Sequence, residues 1–137
     1  MIKIGKDISN FSAYSCQPTS KKDLVLIMSA RFSKEGHNCD LNDIDVSLIT
    51  DMSFLFYDSK FNGDISNWDV SNVVNMTRMF AFSKFDGDIS GWDVRKVRDM
   101  SYMFYDAKFT GDISKWKINK NCNTTQMRVQ EQSLTSK

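Results

Sequence analysis

The chain has 137 residues, of which 41% are hydrophobic, and 18 Lys and Arg stand against 17 Asp and Glu for a formal net charge of +1. This length suits one domain with a core of its own, and the near-balance of charge excludes a global pull toward nucleic acid or acidic membranes. Three cysteines (Cys16, Cys39 and Cys122) form an odd set with no C-x-x-C pair, which argues against a disulfide framework or zinc site and for idle thiols in a reducing compartment.

The opening stretch, "MIKIGKDISNFSAYS", carries neither an apolar h-region nor a small-residue cleavage site. The longest apolar run, Leu24 to Met28, falls far short of the roughly 20 residues that span a bilayer. No lipid-anchor signal is visible. These features predict a cytoplasmic chain with no membrane partner, or a cell-surface one if the sequence is a mature fragment. Residues 1–36 read as an N-terminal cap. Residues 1–16 are expected to pair as a short strand at one end, and Pro18 interrupts them. Ser20 precedes Asp23 by three, close to a capping box. Leu24, Ile27, Met28 and Phe32 then line one face, and Gly36 stands where a C-cap glycine belongs. The spacing predicts an amphipathic helix over 20–34.

From His37 a period of 24 residues takes over without gaps. The units are 37–60, 61–84 and 85–108, with a partial unit over 109–120. "FNGDISNWDVSNVVNMTRMF" and "FDGDISGWDVRKVRDMSYMF" lie in register, and the second and third units share 13 of 24 residues. The repeating apolar positions are Ile65, Trp68, Val70, Val73, Met76, Met79 and Phe80, with Phe85 opening the next unit. "IxxWxV" has the register of a short strand with alternate residues inward. The Met-x-x-Met-Phe spacing suggests one helical turn, with Asp51, Asn75 and Asp99 placed as its N-caps. No such unit buries its apolar face alone, so the units must stack, with Trp68, Trp92 and Trp116 in a column.

The recurring "DISxWDxSxVxxMxxMF" closely resembles the repeat of bacterial surface lipoproteins and BspA-like leucine-rich-repeat proteins, over about residues 37–120. The resemblance implies an α/β repeat solenoid, a right-handed coil with a short parallel sheet and a capping helix, used for binding and not for catalysis. It also implies a link to adhesion. The pattern decays after Trp116, and 121–137 reads as a polar C-terminal cap or tail, its last ten residues disordered.

Chemistry is sparse. The column Asp40, Asp64, Asp88, Asp112 would bring carboxylates into mutual repulsion, relieved either by backbone amides at turns or by a bound cation. Lys60, Lys84 and Lys108 form a parallel column able to neutralise it, while Gly63, Gly87 and Gly111 keep a calcium reading open. His37, the only histidine, has no nucleophile beside it in the pattern and is expected on a half-buried edge. No phosphate-binding glycine loop is present. Neither an enzyme nor a cofactor is expected.

Function is sought where the units disagree. The outward strand positions are acidic at Asp45, Asp69 and Asp93, polar at Asn67, and basic in the last unit at Lys115 and Lys117. Arg95, Lys96 and Arg98 replace neutral residues of the preceding unit, a cluster too small to favour nucleic acid. Phe54, Arg78 and Tyr102 vary at one exposed position, the composition of an interaction hot spot. These residues predict a protein-binding module, such as a small intracellular inhibitor from a phage or mobile element. A fragment of a surface adhesin and a calcium-binding repeat protein are the alternatives. Reversing charge at Asp69 and Asp93 is expected to weaken the binding and spare the fold.

Overall fold

The computed structural model describes residues 16–128. The strand expected over 1–16 and the tail beyond 128 lie outside that range, apart from Cys16, which forms a parallel bridge with Ile44.

Helix α1 (Lys21–Glu35) starts and stops where its residues dictate. The Ser20 side chain accepts the Asp23 N–H, and Gly36, at φ 87°, donates its own N–H to the Phe32 carbonyl. Leu24 and Met28 are buried, with Ile27 and Phe32 packed beside them on the first coil. Lys21 reaches the Ser53 carbonyl at 2.9 Å, and Arg31 binds the Asp43 carboxylate at 3.0 Å and the Asp40 carbonyl at 2.8 Å. The helix closes one end of the stack and covers apolar surface that the first coil would otherwise expose.

The expected parallel sheet does not form. Among the described residues α1 is the only regular element, and the parallel pairings are isolated single-residue bridges: Asp40 with Asp64, and Asp51, Asn75, Asp99 and Asn123 in one line. The leucine-rich-repeat-like α/β coil is therefore replaced by coils built from turns. "IxxWxV" is not a strand but two turns in succession, closed by Trp68 N–H to Ile65 O and Val73 N–H to Val70 O. The buried ends of each turn lie three residues apart, Ile65 to Trp68 and Val70 to Val73, and no extended run survives.

The helical turn fails for a related reason. Met79 N–H closes a three-residue turn on Met76, but the Met76, Arg78 and Phe80 N–H groups all point into the next coil, to Asp99, Ser101 and Met103. Arg78 takes φ 51°, which no α-helix accommodates. From Phe80 to Ser83 the N–H groups alternate, Phe80 and Phe82 tying successive coils together and Ala81 and Ser83 closing turns within the coil.

The corners are held by side chains. Asp64, Asp69 and Asn75 accept the N–H two residues on, from Ser66, Ser71 and Thr77, at 2.9–3.0 Å, and the Ser83 hydroxyl accepts from Phe85 at 3.4 Å. Such Asx turns satisfy backbone donors that a strand or helix would have paired.

The buried core does follow the repeating apolar positions. Phe56, Phe80 and Phe104 stack 5.4 and 5.5 Å apart, Phe61, Phe85 and Phe109 at 6.0 and 6.2 Å, and each indole N–H of the tryptophan column donates to a carbonyl of the preceding coil. A Cβ on Gly87 would strike the Phe85 ring at 2.8 Å, and one on Gly111 would strike Phe109 at 2.6 Å. These glycines clear space for flat rings. The ladder continues beyond residue 120: Met100, Tyr102 and Phe104 donate to Asn123, Thr125 and Met127, and Gln126 repeats the positive φ of Arg78. Thr124 stands where Met100 is buried, and Arg128 lies over the Phe109 ring at 5.0 Å, so the last described pass is more polar than those before it.

Candidate functional site

The acidic column resolves into structure. Asp40, Asp64, Asp88 and Asp112 each accept a backbone N–H, from Asn42, Ser66, Ser90 and Ser114, at 2.8–3.0 Å. Those N–H donors hold the Asp64, Asp88 and Asp112 carboxyls below the usual carboxylate range. Among the described residues no group of three His, Cys, Asp or Glu side chains stands together as a metal site would need. Asp45, Asp69 and Asp93 do the same at the next corner, capping Ser47, Ser71 and Arg95. The Arg95 guanidinium, which also grips Asp93 at 2.9 Å, holds that carboxyl low. These aspartates carry backbone connections, so charge reversal at Asp69 and Asp93 would remove the N–H acceptors of Ser71 and Arg95 as well as any outward charge.

The remaining polar positions spread over several places. Asn67 is exposed and donates its N–H to Asn42 Oδ1 at 2.8 Å. Lys96 spans one coil to Asn72 Oδ1 at 3.1 Å, and exposed Arg98 donates its N–H to the Val74 carbonyl. Lys115 and Lys117 flank a notch at Gly91 together with Arg95. His37 is exposed, stacked on Phe32 at 4.7 Å. Burial pushes the Cys39 and Cys122 thiols up, which disfavours the reactive thiolate.

The most concentrated surface feature grows around Arg78. Its guanidinium lies 4.5 Å from the Tyr102 ring centroid and 5.9 Å from that of Phe54, bridging three coils. A second row runs alongside: Phe82 stands edge-on between Tyr57 at 5.6 Å and Tyr105 at 5.7 Å. The rows join through Phe54 with Tyr57 at 5.2 Å and Tyr102 with Tyr105 at 5.3 Å. Phe54, Tyr57 and Phe82 are 48%, 42% and 40% exposed.

The ridge stands on left-handed backbone positions that recur from coil to coil. Phe54, Arg78, Tyr102 and Phe82 all take φ between 51° and 61°. For bulky side chains that left-handed region costs about 1–2 kcal/mol each, and Gly, Asn or Asp would sit there with less strain. Asp58 and Asp106 occupy the position of Phe82 in the neighbouring coils with the same sign of φ. Arg78 and Tyr102 were legible as a variable column, expected in solvent but found half-buried, whereas Tyr57, Phe82 and Tyr105 were not legible. The available signal was the pair Ala81-Phe82 standing where the flanking units read Tyr57-Asp58 and Tyr105-Asp106. In the middle coil the ring moves one residue along, so it fills the gap between the two tyrosines that Ala81 leaves.

Residues 26–137, which include the whole repeat array and the ridge, match the family described as Mycoplasma protein of unknown function, DUF285. The chain belongs to the DUF285 family. DUF285 proteins are associated with BspA-like surface repeat proteins, in agreement with the broader part of the resemblance seen in the sequence. No curated protein and no solved structure matches the chain. No helix among the described residues of this DUF285 chain is long and apolar enough to cross a membrane.

Proposed function

We propose that the chain is a non-catalytic protein-binding module and that the aromatic and arginine ridge is its contact surface. The observation that supports this reading is the placement of exposed Phe54 and Phe82 and half-buried Arg78 and Tyr102 at left-handed positions, where they strain the backbone and add little to the core. Side chains that violate local preference without a folding gain point to a use outside the fold. Exposed aromatics around an arginine match the composition of interface hot spots, which lose water on docking and supply most of the binding energy.

The association of DUF285 with BspA-like surface repeat proteins favours a second, narrower reading in which the module serves in adhesion at a cell surface. The intracellular inhibitor has no comparable support.

The test is affinity capture from host lysate and from intact host cells, with the wild-type chain and an Arg78→Asn/Phe82→Asn variant as baits. Both baits are first shown to melt alike. A protein retained by the wild type and lost by the variant supports the reading. Retention by both baits moves the contact off the ridge, and retention by neither counts against a protein partner.

A further inference from the structure

We infer that the notch at Gly91 is an anion site for an acidic peptide segment, separate from the ridge. The notch measures about 250 Å³ and is lined by Ser90, Gly91, Trp92, Arg95, Lys115 and Lys117, among others. Two columns of the repeat change chemistry there. One reads Asp43, Asn67, Gly91, Lys115, and the other Asp45, Asp69, Asp93, Lys117. Positive charge enters both columns only at the last coil, directly beside the glycine.

Gly91 has no structural reason to be glycine. Its φ is not positive, and a Cβ added to it would meet nothing within 4 Å. Glycine costs conformational entropy on folding without any packing return at this position. What it does is remove the side chain that Asn67 and Lys115 carry in the adjoining coils, leaving an opening between them.

The charges around the opening leave a positive excess. Asp93, the acid on its wall, is already taken by the N–H and guanidinium of Arg95. Asp112 keeps its charge, since the Ser114 N–H that it accepts holds its carboxyl low, so Arg95, Lys115 and Lys117 stand against Asp93 and Asp112. Lys115 and Lys117 are both exposed and both line the notch, with buried Trp116 between them in the chain. Carboxylates at alternate positions of an extended peptide project to one side. Such a segment engages both lysines at once, whereas a single inorganic anion engages a point.

The experiment is a titration of the full chain, followed by backbone amide resonances, with a capped pentapeptide alternating glutamate and serine. A glutamine analogue and inorganic phosphate serve as controls. Saturable shifts are expected at Gly91, Lys115 and Lys117, weakened by added salt. Gly91→Asn and Lys117→Asp should each weaken the peptide about tenfold or more, with melting unchanged, because neighbouring coils already carry those residues at Asn67 and Asp93. Should one variant lose its fold, the other carries the test. The proposal falls if no saturation is reached, if the glutamine peptide binds equally, if phosphate binds as tightly as the peptide, or if a folded variant keeps wild-type affinity.

Discussion

Trp92 shows how one residue ties three coils together. Its ring stacks 6.4 Å from that of Trp116 at an interplanar angle of 3° and lies 6.3 Å from Phe80, while its indole N–H donates to the Ile65 carbonyl at 3.1 Å. Removing the ring leaves a cavity between coils and takes one of two donors from the Ile65 carbonyl, which keeps the Trp68 N–H. Trp92→Ala is expected to cost about 3–5 kcal/mol, measured by urea unfolding; a loss under about 1 kcal/mol would mean that the column is not core. Phe82 lies at the opposite extreme. Its ring is 40% exposed and its φ is 60°, so Phe82→Asn relieves backbone strain and forfeits only edge contacts with Tyr57 and Tyr105. Its stability should stay within about 1 kcal/mol of wild type, and a larger loss would assign the ridge to the fold instead of to a partner.

At the scale of the coil, the corners make stability depend on pH. Burial pushes the Asp45, Asp51 and Asp99 carboxyls up, but hydrogen bonds from Ser47, Ser53 and Ser101 outweigh it and leave all three below the usual range. Asp64, Asp88 and Asp112 are held low chiefly by backbone N–H donors. A carboxyl depressed in the folded state contributes stability that is fully present above its unfolded value, near 3.9, and is lost as pH falls through the folded one. The urea midpoint should therefore be flat above about pH 5 and drop steadily below about pH 4. A flat profile down to pH 3 would remove the Asx corners as stabilising elements. The same corners explain what the sequence left unread. The positions of Ile65, Trp68, Val70 and Val73 were legible as core because burial depends on spacing alone. Their conformation was not, because an i, i+3 pair of apolar residues fits one helical turn, a bent strand or a β-turn equally well. The deciding signal was the Asp-x-Ser or Asn-x-Thr triplet at each bend, which reads as a cap in any of the three. Tyr57, Phe82 and Tyr105 escaped because their ladder crosses the repeat register.

Across the whole molecule, one continuous core runs from Leu24 and Met28 of α1 through to Trp116, and each coil is bonded chiefly to its neighbours. Stability in such an array is nearly a sum of nearest-neighbour terms, so it should be largest where a coil has two complete neighbours. The coil of Met76 meets that condition. Its Met76, Arg78 and Phe80 N–H groups donate into a full coil, and the carbonyls of Asn75, Thr77 and Met79 accept from the one before. The N–H groups of Met100, Tyr102 and Phe104 instead donate into the polar last pass at Asn123, Thr125 and Met127. Opening that pass exposes little apolar surface, since Thr124 replaces a buried methionine and Met127 is only partly buried. Native-state hydrogen exchange should accordingly be slowest at Met76, Arg78 and Phe80, and faster by about tenfold or more at Met100, Tyr102 and Phe104. Met76→Ala, at a fully buried site between coils, should cost about 2–5 kcal/mol and lower protection throughout the stack. Met127→Ala should raise exchange only at the last coils. Equal protection at both sets of amides would mean that the array opens as one cooperative unit, in which case the last pass belongs to the core and is not a fraying end.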